Sequence, residues 1–400
     1  MAQYRCNECH THYPISTDLM LCPACKSKQK VNEPLRGVLE VDFSVKGKSD
    51  LSGTSLSDIR DWLPVSKQSF APIPVGNTPM WSPTRLSESL GLNNLFIKDD
   101  GANPTSSFKD RASWMVSAFA KENGINEIVL ASTGNAGSSM AGIAAASGQK
   151  VTLFLPKAAP AAKMIQAQQY GANLILVDGN YDRACELALD YSNKFGGMNR
   201  NTAFNPMTIE GKKTVSIEMV RQLEKAPDHV FVATGDGCIA GGVYKGFRDL
   251  IEAGVIDEMP IIWVVQSSNS DALCIAMEKG HFEKISATTI ADSISVDVPA
   301  NGYQLLGYLK QYDGRCIRVA DDAILKAQKY LSESSGLFSE PAGATAFAGL
   351  LAVKDQLPAD STVVVLATGN GLKDAATAAK GNPLLPEPIG SINELLVSEA

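Results

Sequence analysis

Ile128-Val129-Leu130-Ala131-Ser132-Thr133-Gly134-Asn135-Ala136-Gly137 decides how this chain folds. A short apolar run without alternation enters a glycine and hydroxyl loop, and residues 136–146 then continue at helical length. Such a run reads as a strand buried on both faces, which is how strands of a parallel sheet are composed. Hydroxyls and exposed amides ahead of a helix make an anion site.

The pattern recurs on both sides. Residues 95–98, 151–155, 174–177, 230–233, 261–265, 317–320 and 363–367 are further short apolar runs, and 108–121, 181–194 and 209–223 have helical length between them. Strand–helix alternation throughout implies an α/β protein with open parallel sheets. Ahead of it, residues 31–75 read as a linker that becomes ordered, with a turn at Ser52-Gly53 and Ile59 to Pro64 as a packed anchor. The chain after Lys380 is Pro-rich, then polar, and reads as a surface extension.

Four hundred residues with 44% hydrophobic and 20% charged residues suit two or three soluble domains. A net charge of −7 without basic runs argues against a nucleic-acid partner. No apolar run reaches membrane-span length, and the N-terminus has no signal-peptide core, so a cytoplasmic location is expected.

Cys6-x-x-Cys9 and Cys22-x-x-Cys25 form two knuckles, each aiming a pair of thiolates at one point, the pattern of a structural zinc ribbon. A redox dithiol is the alternative. Four thiolates close the shell, which leaves His10 and His12 as surface residues and the metal without an open position for chemistry. Cys185, Cys238, Cys274 and Cys316 are scattered and suggest no disulfide framework.

In open parallel sheets, ligands bind beyond the carboxyl ends of strands. Three junctions besides the opening one carry unusual residues. Asn103-Pro104-Thr105-Ser106-Ser107-Phe108-Lys109-Asp110-Arg111 puts Lys109 in the first turn of a helix, where a cation opposes the helix dipole unless something neutralises it. Thr234-Gly235-Asp236-Gly237-Cys238-Ile239 can cradle a phosphate through its amides, and Thr368-Gly369-Asn370-Gly371 places a hydroxyl at the end of a central strand.

Together with Gly76-Asn77-Thr78-Pro79, Asn205-Pro206 to Thr214 and Gly336 to Ala342, these segments occur in the order seen in the threonine synthases. The chain resembles that family from about Gly76 to Asp374. The resemblance implies a fold-type-II pyridoxal phosphate (PLP) enzyme: two open, mostly parallel sheets flanked by helices, with a zinc-ribbon-like extension. It implies an extension over 1–45, a large PLP-binding domain from 46–107 plus 220–384, a smaller domain over 108–219, a tail over 385–400, and a homodimer. Lys109 matches the lysine that binds PLP as a Schiff base and moves protons. Asn135 matches the partner of the ring hydroxyl, and Thr368 that of the ring nitrogen. Gly235, Asp236, Gly237, Cys238 and Ile239 match the cofactor-phosphate loop. Ser132, Thr133, Gly134, Asn135 and Ala136 match the loop that receives an amino-acid α-carboxylate. Asp110 and Arg111 are expected to form a structural ion pair, and Glu340 to line the site from a helix start.

The chain departs from the family where Met207 and Thr208 stand, since an arginine commonly sits there to bind the substrate's phosphate. Residues 113–120 add no cation, leaving Lys163, Lys212 or Lys213 to supply one. The expected reaction is O-phosphohomoserine and water to threonine and phosphate. The alternative is β-replacement or β-elimination on an activated serine.

Overall fold

The computed structural model describes residues 2–42, 56, 58–157, 161–383 and 388–391. Three sheets carry the chain. Strands β1 (Gln3–Cys6), β2 (His12–Pro14) and β3 (Leu39–Asp42) form a small antiparallel sheet in the order β2-β1-β3. Next along the chain come β4 (Met80–Trp81), β5 (Asn94–Asp99), β6 (Glu127–Ala131), β7 (Lys150–Pro156), β8 (Asn173–Val177), β9 (Met198–Asn199), β10 (His229–Ala233), β11 (Ile261–Ser267), β12 (Arg315–Val319) and β13 (Thr362–Ala367). The large sheet runs β12-β11-β10-β13-β5-β4 and is parallel except at the short edge strand β4; the other runs β8-β7-β6-β9 and is parallel throughout.

The apolar runs became strands for the reason their composition gives. β10 and β13 are buried at every position, because helices cover both faces of the large sheet. The expected α/β class with two mostly parallel sheets is what forms. The anchor at Ile59–Trp62 is a short 3₁₀ helix that buries Ile59 and Trp62. The Ser52-Gly53 turn and nearly all of the tail lie outside the described residues.

Helix packing sets the centre of the molecule. The Met207 helix (Met207–Leu223) packs against both the Lys109 helix (Lys109–Glu122) and the Cys238 helix (Cys238–Glu252). Gly211 meets the carbonyl of Arg111 so closely that no Cβ would fit, and Gly246 meets the carbonyl of Lys213 in the same way. At Gly242 a Cβ would come within 2.5 Å of the Lys212 Cβ. These glycines let the Met207 helix approach the backbones of the other two.

Buried charges hold this trio. Arg111 reaches Asp100 from Nε (2.5 Å) and Glu218 from Nη1 (2.7 Å), and Lys98 Nζ donates to the other Glu218 oxygen at 2.7 Å. Asp110, expected to pair with Arg111, instead accepts from the Thr105 amide and hydroxyl. Neighbours at i and i+1 on a helix point apart, which is why that pair does not form. The cysteines read as scattered also include a pair: Cys274 and Cys316 form a disulfide between the Ala272–Lys279 helix and β12.

Glu218 sits between two cations that hold its carboxyl far below the usual range despite burial. Glu218→Ala strands both cations and should cost about 3–5 kcal/mol in denaturant unfolding; a loss below about 1 kcal/mol would show the cluster to be dispensable. A depressed folded pKa gives stability that is present above the unfolded carboxylate range and lost only as pH falls toward the folded value.

Candidate active site

Four strand ends supply the site. β6 leads through Ser132–Gly134 into the Asn135 helix (Asn135–Ser147), β10 leads through the glycine loop into the Cys238 helix, and β13 ends at Thr368. The turn that follows β5 ends in Lys109, the first residue of its helix.

Backbone bonds draw these segments together. The Phe108 amide donates to the Thr368 carbonyl (2.9 Å), the Asn370 amide to the Ser106 carbonyl (3.1 Å), and the Glu340 amide to the Gly369 carbonyl (2.9 Å). Glu340 precedes the Pro341 helix (Pro341–Val353), and its carboxylate accepts both contacts of the Asn135 amide, at 2.9 and 3.1 Å. A chain of contacts therefore links Thr368, next to Lys109's neighbour Phe108, through Glu340 to Asn135. Burial raises the Glu340 pKa against the pull of Asn135 and Lys109. A cleft of about 200 Å³ opens beside it, lined in part by Gly134, Asn135, Ser138, Glu340 and Lys373.

The opening loop divides its labour. The Ser132 hydroxyl accepts from the amides of Gly134 (3.3 Å) and Gly137 (3.0 Å), so it caps the Asn135 helix. Thr133, Gly134 and Ala136 are the partly exposed members. Gly237 adopts φ +83°, a left-handed turn that starts the Cys238 helix with no side-chain cap on Gly237. The amides of that helix's first turn have no intrahelical acceptor, and Cys238 N donates to Asp236 Oδ1 at 2.8 Å. Burial alone would raise the Asp236 pKa; Lys109 and Lys212 nearby hold it low instead. Cys238 itself is buried, and its thiol is pushed up to about 12.

A phosphorylated aldehyde fits this set. Lys109 Nζ makes no hydrogen bond or ion pair among the described residues, and the buried hydroxyl of Ser107, two residues earlier, has no partner among them. A free amine serves an aldehyde, and the first-turn amides of the Cys238 helix serve a phosphate.

The N-terminal thiols also converge. The Sγ atoms of Cys6, Cys9, Cys22 and Cys25 lie within 4.8 Å of one another, with Cys6–Cys25 at 3.8 Å and Cys9–Cys22 at 3.6 Å. Zinc–sulfur bonds of about 2.3 Å in a tetrahedron give an edge of about 3.8 Å. The cluster fits zinc.

Residues 72–369 match the family model described as pyridoxal-phosphate dependent enzyme. The chain is 31% identical to the threonine synthase of Methanocaldococcus jannaschii, over 96% of this chain and 95% of the relative. It is 35% identical to that of a Synechocystis species, over 81% and 84%. The chain belongs to the threonine synthase family of PLP-dependent enzymes. Among solved structures, a processed threonine deaminase isoform 2 from Solanum lycopersicum superposes with a TM-score of 0.69 at 22% identity, over 88% of this chain and 96% of that one. That likeness speaks for the fold-type-II architecture.

Some residues near the site escaped the sequence reading. Lys373 donates to Gln166 (2.5 Å), Ser138 (3.0 Å) and the Thr105 carbonyl (3.3 Å), bridging the two sheets' loops. Arg200 is buried just after β9, in a polar stretch that reads as surface, with no periodicity to signal otherwise. Met207 and Thr208 are both buried, and the Thr208 hydroxyl donates to the Asn205 carbonyl. Of the expected cations, Lys213 is held by Glu210 and Asp249, whereas Lys212 is buried with no carboxylate within ion-pair distance among the described residues. The Lys163 side chain lies outside the described residues.

Burial lowers Lys212 to about 8. A depressed lysine gives up its proton in the folded state while the unfolded chain keeps it, up to about pH 10.4, so its contribution to stability rises with pH across that window. The stability difference between PLP-free wild type and Lys212→Met should therefore shift in favour of wild type from pH 8 to 10, by at most about 1.4 kcal/mol per pH unit. A pH-independent difference would contradict an unmatched Lys212 charge.

Proposed function

We propose that the protein is a threonine synthase, converting O-phosphohomoserine and water to threonine and phosphate. The observation that carries this is the chain of contacts that brings Lys109, Thr368, Glu340 and Asn135 together beside the glycine loop, in a chain whose relatives are threonine synthases over most of its length. Lys109 would carry PLP, with Asn135 and Thr368 orienting its ring and Gly235, Asp236, Gly237, Cys238 and Ile239 receiving its phosphate. Bound there, PLP supplies an electron sink that stabilises negative charge at the substrate's carbon.

The remaining work falls to the chain itself. The partly exposed amides of Thr133, Gly134 and Ala136 would bind the α-carboxylate at the start of a helix, where the dipole favours an anion. Lys109 would then take protons from the substrate's Cα and Cβ; phosphate leaves Cγ with the bonding pair, protons return at Cγ and Cα, and water adds at Cβ, its spare proton leaving with the phosphate. Thr368 offers a hydroxyl rather than a carboxylate to the ring nitrogen, which does not enforce a protonated ring and suits elimination and replacement.

The same reading carries the large domain (46–107 plus 220–384), the smaller one (108–219), a homodimer and a cytoplasmic enzyme. Among the described residues no helix is long and apolar enough to cross a membrane. Cys6, Cys9, Cys22 and Cys25 would hold a structural zinc, a role supported by their spacing and convergence.

With O-phosphohomoserine, the purified protein should release threonine and phosphate in equal amounts. Lys109→Ala should lose the visible absorbance of bound PLP and lower kcat on the order of 10³-fold. Turnover of O-phosphoserine or O-acetylserine without any of O-phosphohomoserine would replace this reading with β-replacement or β-elimination. Elemental analysis should find about one zinc per chain, lost in a Cys22→Ser, Cys25→Ser double variant; wild-type protein free of zinc after metal-replete expression would remove the metal from the account.

A further inference from the structure

Among the described residues, the fully buried lysines and arginines are Lys98, Arg111, Arg200, Lys212, Lys213 and Lys245. Lys98 and Arg111 share Glu218, and Lys213 and Lys245 share Glu210 and Asp249. Arg200 and Lys212 have no carboxylate within ion-pair distance. Among the described residues the Arg200 Nε has no partner, and its Nη2 reaches only the Ser113 hydroxyl, at 3.3 Å. Lys212 Nζ has only the Thr202 hydroxyl, at 2.6 Å.

Both lie beside the proposed cofactor lysine. Ser113 is one turn beyond Lys109 on the same helix face, and it also receives the Ser139 hydroxyl from the Asn135 helix at 2.8 Å. Thr202 contacts the Cys238 side chain as well, at the first residue behind the glycine loop. Burial brings Lys212 down to about 8 and Arg200 to about 10. The carboxylate whose field reaches both is Asp236, and it already accepts the Cys238 amide. Asp110 also acts on Arg200 and Glu340 on Lys109, but among the described residues no acid lies within ion-pair distance of Lys109, Arg200 or Lys212.

We infer that Arg200 and Lys212 form the cationic wall of a phosphate-dianion site beside Lys109. Unmatched buried cations are tolerated where a ligand completes them. A phosphate monoester offers the charge and several acceptor oxygens for Nε, Nη2 and Nζ. Its source is either the cofactor's 5′-phosphate or the phosphoryl group of the substrate, and the second rests on the threonine synthase reading. Through Lys212, the Met207 helix then presents a cation one turn beyond Thr208 on the same face.

The test uses the full-length protein freed of PLP, with inorganic phosphate as the probe. Phosphate should raise the melting temperature of wild type. Arg200→Met and Lys212→Met should each weaken phosphate binding about tenfold or more, while melting no lower than wild type without phosphate, because each removes an unmatched charge. In parallel, the Kd of PLP is read by absorbance and the KM for O-phosphohomoserine by phosphate release. A weaker Kd at unchanged KM assigns the site to the cofactor's phosphate; a higher KM at unchanged Kd assigns it to the substrate's. Unchanged phosphate binding in both variants overturns the inference, as does a lower phosphate-free melting temperature in both. Phosphate bound by Arg200 and Lys212 in a protein that does not turn over O-phosphohomoserine would sink the threonine synthase reading and leave the site standing.

Discussion

Matching of buried charge is the constraint on which this structure depends. The central helices pass through the interior carrying lysines and arginines that cannot reach water, and an unpaired ion there costs several kcal/mol. Glu218 answers Arg111 and Lys98, and Glu210 and Asp249 answer Lys213 and Lys245. Those pairs fasten the Lys109, Met207 and Cys238 helices into one block. Matching fails where the block meets the strand ends, at Lys109, Arg200 and Lys212. The chemistry collects at that end.

Close helix packing makes the contrast sharp. Gly211, Gly242 and Gly246 bring the three backbones into contact, so adjacent side chains meet different fates. Lys213 enters a paired interior, whereas Lys212, one residue earlier on the helix, faces the Thr202 hydroxyl beside the glycine loop. Arg111 is locked between carboxylates two residues beyond Lys109, which fixes the helix that presents the lysine without neutralising the lysine itself. The fold thus uses its buried acids for support and leaves the amine of Lys109 available.

Much of this was legible in the sequence. Apolar runs without alternation gave both parallel sheets, because burial on two faces leaves no polar face to encode. Lys109, the Ser132 loop, the Gly235 loop and Thr368 stood out because each sits where a strand hands over to a turn. Long-range pairing was not legible. Asp110 with Thr105, Arg111 with Asp100 and Glu218, and Cys274 with Cys316 depend on how elements stack, which no local pattern records. Arg200 was invisible for a related reason: it follows a two-residue strand in a polar stretch, and only tertiary packing buries it.

The central claim is that Lys109, at the strand-end edge of the charge-matched block, is the amine that takes the aldehyde. Borohydride reduction of the PLP-loaded protein, followed by peptide mass mapping, tests it most directly. The account predicts the phosphopyridoxyl mass on the peptide containing Lys109 and on no other lysine. The same mass on Lys212 or Lys373, with Lys109 unmodified, would contradict it.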